Sequence, residues 1–200
     1  MSGVSRESFQ STVDEYQGLH DESGSDVEQR KAQYTKLVNQ YYDLATDFYE
    51  FGWGEHFHFA PRWKKEKFLA SLERHERHLA RKLRLYPGME VLDVGCGTGA
   101  TTLAVARRVG DGGAAVGIDL SEPMLARARE RAGTLPATFV RADAGTHPFP
   151  PAGFDRIVSR FGVMFFADPV AAFANLRAAS RTGAELDAFA WRSPADNPFM

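Results

Sequence analysis

The stretch Val91-Leu92-Asp93-Val94-Gly95-Cys96-Gly97-Thr98-Gly99 decides the fold of this chain. Residues 90 to 94 form a largely apolar run of strand length that carries two acids, Glu90 and Asp93. The glycines fall where that strand must turn into a helix beginning near Thr101. Glycine at such a turn accepts backbone angles that other residues avoid, and it lets a ligand approach the main chain closely. The helix behind it offers unpaired N–H groups and the positive end of its dipole.

Working outward, strand and helix patterns alternate. Helices are expected over 101–109, 122–132 and 169–179, and strands over 114–118, 137–141, 154–159 and 185–191. Strands separated by helices of this length predict an α/β domain with a mostly parallel, doubly wound sheet built by right-handed crossovers. About twenty residues past the turn the second strand ends in Asp119, where a carboxylate can grip two ribose hydroxyls. Asp143 follows the third strand, again at a carboxyl end, where open α/β sheets keep their ligand crevice. A strand before the turn, a helix after it and two acids at later strand ends point to an adenosine-containing cofactor. Gly95-x-Gly97-x-x-Ala100 also fits the looser dinucleotide fingerprint. Asp93 weighs against that reading, because negative charge beside the cradle repels a pyrophosphate and suits a sulfonium and an amino group. Cys96 reads as a small residue in a tight turn, not as a nucleophile.

Two hundred residues suffice for one domain with an appendage. Hydrophobic content of 44% and charged content of 25% are globular values and exclude wholesale disorder. A net charge of -2 gives no general attraction for nucleic acid, so none is expected as a partner. The single cysteine excludes an internal disulfide framework and suits a reducing compartment. No apolar run approaches the ~20 residues that span a bilayer, and the N-terminus lacks the apolar core of a secretory signal. The expectation is a cytoplasmic protein, with peripheral membrane contact as an alternative, and no metal site.

On these residues the chain resembles the class I S-adenosylmethionine-dependent methyltransferases, which have a Rossmann-like sheet. The resemblance implies S-adenosylmethionine as cofactor. It implies that Asp93, Gly95, Gly97 and Gly99 cradle the methionine and ribose parts, that Asp119 holds the ribose, and that Asp143 with Ala142 lies near the adenine. Ser121, Met124 and Ala144 are the further adenine neighbours. Ser159, with the residues that follow it to Met164, should by topology face the methyl-transfer point. None of these is an obvious general base, which suits a carbon nucleophile better than a hydroxyl.

Upstream, residues 41 to 63 read YYDLATDFYEFGWGEHFHFAPRW. Eleven of the 23 are Phe, Tyr, Trp or His, far too many for a linker. Aromatic rings bury large areas and their faces attract cations. The segment is either a lid packed on the core or an apolar substrate pocket. The run FYEFGWG-x-x-FHFAPRW, followed by LERHERHLARKLRLYPGMEVLDVGCG, resembles sterol 24-C-methyltransferases of the plant cycloartenol type, over residues 34–97. That resemblance implies methylation of a sterol side-chain double bond through carbocation intermediates, in a dry pocket with π density and one proton acceptor. Tyr49, Glu50, Trp53 and His58 are the catalytic candidates, among neighbours Phe51, His56 and Phe57; Glu50 or His58 would accept the proton. Residues 98–200, with GIDLSEPMLARARERA and WRSPADNPFM, resemble bacterial quinone and small-molecule methyltransferases.

Helices are expected near 34–51 and 64–85, the second with an apolar stripe of Phe68, Leu69, Leu72, Leu79 and Leu83. Between Arg62 and Arg84 nine Lys/Arg face three Glu, read as a solvated face or as contact with anionic headgroups. His75 and His78 are assigned structural roles on that helix. The division expected is a polar arm over 1–33, a helical aromatic substrate cap over 34–86, and the cofactor domain over 87–200. The family's sheet has seven strands and this sequence carries five, so the expected sheet lacks the last two. Glu185 and Asp187 then place charge on an edge strand, either to discourage sheet-to-sheet association or within a homodimer edge. The function expected is C-methylation of a sterol or related isoprenoid lipid. The alternatives are methylation of a quinone, phenol or other small apolar acceptor, and cofactor binding without turnover.

Overall fold

The computed structural model describes Asp14 and residues 60–196. In chain order these are α1 (Phe68–Lys82), β1 (Glu90–Val94), α2 (Ala100–Val109), β2 (Ala114–Asp119), α3 (Glu122–Ala132), β3 (Ala137–Arg141), β4 (Phe154–Arg160), a 3-10 turn (Gly162–Phe165), α4 (Pro169–Ala179) and β5 (Ser180–Phe189). The strands form one sheet in the order β3-β2-β1-β4-β5. Every pairing is parallel, with Leu92 opposite Val116 on one side and Ile157 on the other. This is the expected Rossmann-like arrangement. Its order reverses at β1, so the crevice opens where the chain leaves β1 and β4.

Two apolar layers sandwich the sheet. Val91, Ala115 and Val158 face α1 and α2 through Leu79, Leu83, Val105 and Val109, and Phe139 meets Leu125 and Ala128 of α3 through the neighbouring cluster. On the other face Leu92, Val94, Ile118 and Ile157 pack against Leu176 and Ala179 of α4. Leu72, Leu79 and Leu83 are fully enclosed, which at about 1.5–3 kcal/mol per side chain makes α1 part of the core. Leu69, expected on the same stripe, is 53% exposed.

The helix starts later than the charge-rich run suggested, because a clasp occupies the residues before it. Lys65 takes a left-handed conformation, the Trp63 N–H donates to the Glu66 carboxylate, and Arg74 donates to Glu66 through Nε at 2.8 Å. The same guanidinium lies 4.2 Å above the Trp63 ring. Arg74 holds the Glu66 carboxyl down to about 2.

Strand β5 begins five residues earlier than expected. Phe154 pairs with Ser180 but Arg156 with Glu185, so β5 advances five residues while β4 advances two and the intervening stretch bulges. The acids of β5 have a partner that the strand alone did not reveal. Glu185 lies opposite Arg156 and pairs with its guanidinium, and Asp187 stands 3.7 Å from the same group. The charge on this strand is answered within the sheet, not held free at its edge. Among the described residues no helix is long and apolar enough to cross a membrane.

Candidate active site

The turn after β1 is held from below by β2: the N–H groups of Gly95 and Cys96 both donate to Ile118 O, at 2.9 and 3.1 Å. The glycines of this turn serve different ends. Gly95 has φ 71°, and a Cβ there would lie 2.6 Å from Gly162 Cα, so two backbones touch. Gly97 has φ 53° and is uncrowded: an added Cβ would meet only Met124 Sδ, at an ordinary contact distance of 3.6 Å. Gly99 faces inward, where a Cβ would strike Ala128 and Phe139 at 2.9 Å. The tight turn, the open approach and the helix–sheet packing are thus divided among Gly95, Gly97 and Gly99, as nucleotide-binding turns require.

Asp119 closes the cradle from β2. One carboxylate oxygen accepts the Gly97 N–H at 2.8 Å, the other the Ser121 N–H at 3.0 Å. Burial raises its carboxyl above the usual aspartate value, and the Ser121, Gly97 and Leu120 N–H groups oppose that shift. Beside it the Ser121 hydroxyl is fully buried and has no hydrogen-bond partner, although Ser121 stands at the head of α3 where a hydroxyl normally caps. A buried orphan of this kind costs about 1–3 kcal/mol unless something satisfies it. Met124 is 4% exposed next to it.

Asp143 organises the loop after β3: its carboxylate accepts from the Gly145 N–H at 2.8 Å and its carbonyl from the N–H groups of Thr146 and His147. Ala142 N–H donates to Asp119 O at 3.1 Å, joining the ends of β2 and β3, and Ala144 is buried in the core. Asn175 of α4, absent from the sequence candidates, pins this loop by donating to Ala144 O and His147 O at 3.0 and 2.9 Å. Ser159 is fully buried. Its hydroxyl donates to Val94 O at 2.8 Å and accepts the Val163 N–H at 3.1 Å, fixing the 3-10 turn to the end of β1. Tyr49, Glu50, Trp53 and His58, with Phe51, His56 and Phe57, lie outside the described residues.

Asp93 is 2% exposed and lies under the cradle, its carboxylate accepting the Thr102 hydroxyl at 2.6 Å. Burial pushes its carboxyl up to about 6, against the pull of Thr102 and the Arg160 guanidinium. Arg160 stands 3.7 Å from Glu76 of α1, so an ionic layer joins α1, β4 and the first motif. The native state holds the Asp93 proton more tightly than the unfolded chain, whose aspartates titrate near 4. The stability this confers is complete below about pH 4 and is lost as pH rises through about 6. The swing is on the order of 3 kcal/mol. In Asp93→Asn, which can still accept from Thr102, that decline should vanish; urea melts of both proteins between pH 4.5 and 7.5 measure the difference.

Burial, then Asp119 and Asp93, push the Cys96 thiol well above its usual value. Cys96 is the only cysteine and is 6% exposed. Alkylation by iodoacetamide at pH 8 is expected to run at least about tenfold slower in the folded protein than in urea. Of the two histidines of α1, His75 meets the Phe189 ring edge-on at 5.7 Å and His78 is exposed.

Residues 91–183 match the family model described as a methyltransferase domain. With the sheet order and the cradle above, residues 91–183 are similar to a methyltransferase domain built on a Rossmann-like sheet. Among curated relatives it is 38% identical over 192 residues to cycloartenol-C-24-methyltransferase 1 of Oryza sativa subsp. japonica, covering 94% of this chain and 55% of that protein. The likeness to sterol methyltransferases, expected over 34–97, therefore runs along nearly the whole chain. The chain spans about half the length of the curated relatives it matches. Among solved structures it superposes on the [4+2]-cyclase SpnF with TM-score 0.67 and 26% identity, over 77% of this chain and 59% of that one. It also superposes on a Haemonchus contortus phosphoethanolamine N-methyltransferase 2 with TM-score 0.58 and 25% identity, over 74% of this chain and 32% of that one.

Proposed function

We propose that this chain binds S-adenosylmethionine and takes part in methyl transfer to carbon on a sterol or related isoprenoid lipid. The observation that carries the substrate class is the 192-residue likeness to a cycloartenol-C-24-methyltransferase. The cofactor fits what the cradle offers: open backbone at Gly97, an acid at Asp119 with acceptor capacity to spare, and an orphan hydroxyl at Ser121. The phosphoethanolamine N-methyltransferase structure holds S-adenosylhomocysteine, the demethylated product.

When bound, S-adenosylmethionine supplies an electrophilic methyl group. Asp119 would hold the ribose hydroxyls, Ser121 and Met124 would line the adenine, and the Asp143 loop with Ala142 and Ala144 would flank it. Asp93 acts from below, through Thr102 and the first turn of α2, as a positioning residue. Gly95 and Gly99 shape the turn, and Ser159 holds the wall behind it. An alkene acceptor needs no base to activate it; it needs exclusion of water, π density for positive charge, and one proton acceptor. We assign those tasks to the cap over 34–86, with Tyr49 and Trp53 as π groups and Glu50 or His58 as acceptor, while residues 1–33 form an arm. A cytoplasmic protein in peripheral contact with membranes suits an apolar lipid substrate.

Calorimetry with S-adenosylhomocysteine tests the cofactor, and absence of binding would sink the whole reading. Transfer of radiolabelled methyl to a sterol panel, set against a quinone and phenol panel, tests the acceptor. Labelled quinones with unlabelled sterols would reassign it. SpnF, a [4+2]-cyclase on the same fold, supports one other reading, binding without methyl transfer; nucleoside binding with no label on either panel would favour it.

A further inference from the structure

At the carboxyl ends of β4 and β5 the sheet bears an apolar surface that cofactor binding does not use. The rings of Phe161 and Trp191 stack with centroids 5.0 Å apart and planes 9° from parallel. Backbone contacts fix the pair: the Phe161 N–H donates to Phe189 O at 3.0 Å, and the Trp191 N–H to Met164 Sδ at 3.2 Å. Yet this cluster is not core. Trp191 is 47% exposed and Met164 41%, so the stack leaves an aromatic face and a thioether at the surface. Phe161 also holds a left-handed backbone, φ 72°, despite its Cβ. That conformation costs about 1–2 kcal/mol and gathers at functional positions.

The position of the cluster gives it meaning. Gly162, the residue after Phe161, is the one whose backbone touches Gly95 of the cradle. The half-buried Phe161 ring, with the exposed Trp191 ring stacked on it, therefore stands one residue from the wall of the methyl-donor site, on the side where the crevice opens. Flat π faces and a polarisable thioether hold planar apolar rings and tolerate positive charge beside them.

We propose that Phe161, Met164 and Trp191 form the acceptor platform, the surface on which a flat, fused-ring apolar molecule lies next to the donor. The assignment rests on the methyltransferase reading above. It is tested with the full chain by titrating dehydroergosterol, a fluorescent sterol, in the presence of S-adenosylhomocysteine. Trp191→Leu should weaken sterol binding at least tenfold and leave nucleoside affinity within twofold of the parent, while Trp191→Phe should stay within about threefold for the sterol. Met164→Lys should weaken the sterol in the same way, and decides alone if Trp191→Leu also loses the nucleoside. Parent-like sterol affinity in the Leu and Lys variants overturns the platform. So does a parent that binds nucleoside but no sterol, or a Trp191→Leu variant that changes only the sedimentation of the protein, which would make the patch a contact between copies. Failure of the parent to bind S-adenosylhomocysteine overturns the cofactor reading underneath it instead.

Discussion

Gly95→Ala is expected to collapse the cradle. The new Cβ would sit 2.6 Å from Gly162 Cα, a backbone atom that cannot rotate away as a side chain would. The same residue would have to hold φ 71°, at about 1–2 kcal/mol. Relief of the overlap by moving the 3-10 turn strains the Ser159 bonds to Val94 O and Val163 N, and overpacking of this kind costs about 1–3 kcal/mol. Together these reach about 2–5 kcal/mol, a large part of the roughly 5–15 kcal/mol that stabilises a domain. Urea unfolding should show that loss, and calorimetry should show S-adenosylhomocysteine affinity reduced beyond detection. Gly97→Ala is the control. Its Cβ would meet only Met124 Sδ at 3.6 Å, so its stability should fall by the backbone strain alone while ligand affinity falls sharply. A Gly95→Ala protein as stable as the parent would mean that the two loops do not meet as described.

Asp119→Ala should weaken S-adenosylhomocysteine at least a hundredfold. The carboxylate is assigned two ribose hydroxyls, and hydrogen bonds to a charged group contribute about 1.5–3 kcal/mol each. It also organises the cradle through the Gly97 and Ser121 N–H groups, and those donors would lose their acceptor. Asp119→Asn keeps the shape but has one acceptor oxygen for two donors, so its affinity should fall between parent and Ala. Because burial raises this carboxyl, it protonates at higher pH than an ordinary aspartate. Parent affinity should therefore decline as pH falls through a range above about 4, and the Ala variant should lack that dependence. Parent-like binding by Asp119→Ala would remove the ribose assignment.

The parts of the molecule legible in the sequence are those whose causes are local. The strand at 90–94, the glycine turn and the helix behind it are set by hydrophobic run length and backbone demands within a dozen residues, and they stand where expected. Features decided by distant partners were not legible. Gly162 is unremarkable until its neighbour proves to be Gly95, far back in the chain, though a glycine two residues past a strand is a signal worth weighing. Gly99 was grouped with the ligand glycines, yet Ala128 and Phe139 account for its missing side chain. The bulge of β5 reflects pairing with β4, and within Arg181–Gly183 the glycine, with φ 83°, is its local sign. Asn175 looked like an ordinary residue of α4, since its partners are carbonyls in another loop. Thr102 is the one that could have been found, a hydroxyl one helical turn past the glycines and facing the buried acid.

Arg156 and Glu185 stand opposite each other on neighbouring strands, the arginine side chain 9% exposed and the glutamate 58%. Replacing the glutamate alone leaves an enclosed cation with only the more distant Asp187 to answer it, whereas replacing the arginine alone leaves an acid that water can still reach. The tolerance of the two positions is therefore unequal, and so is the order in which a lineage can change them. Arginine must be exchanged first, for something neutral, before Glu185 is free to drift. Two letters 29 places apart are inherited in effect as one, and a survey of natural variants of this chain would find the lone arginine rarer than the lone glutamate.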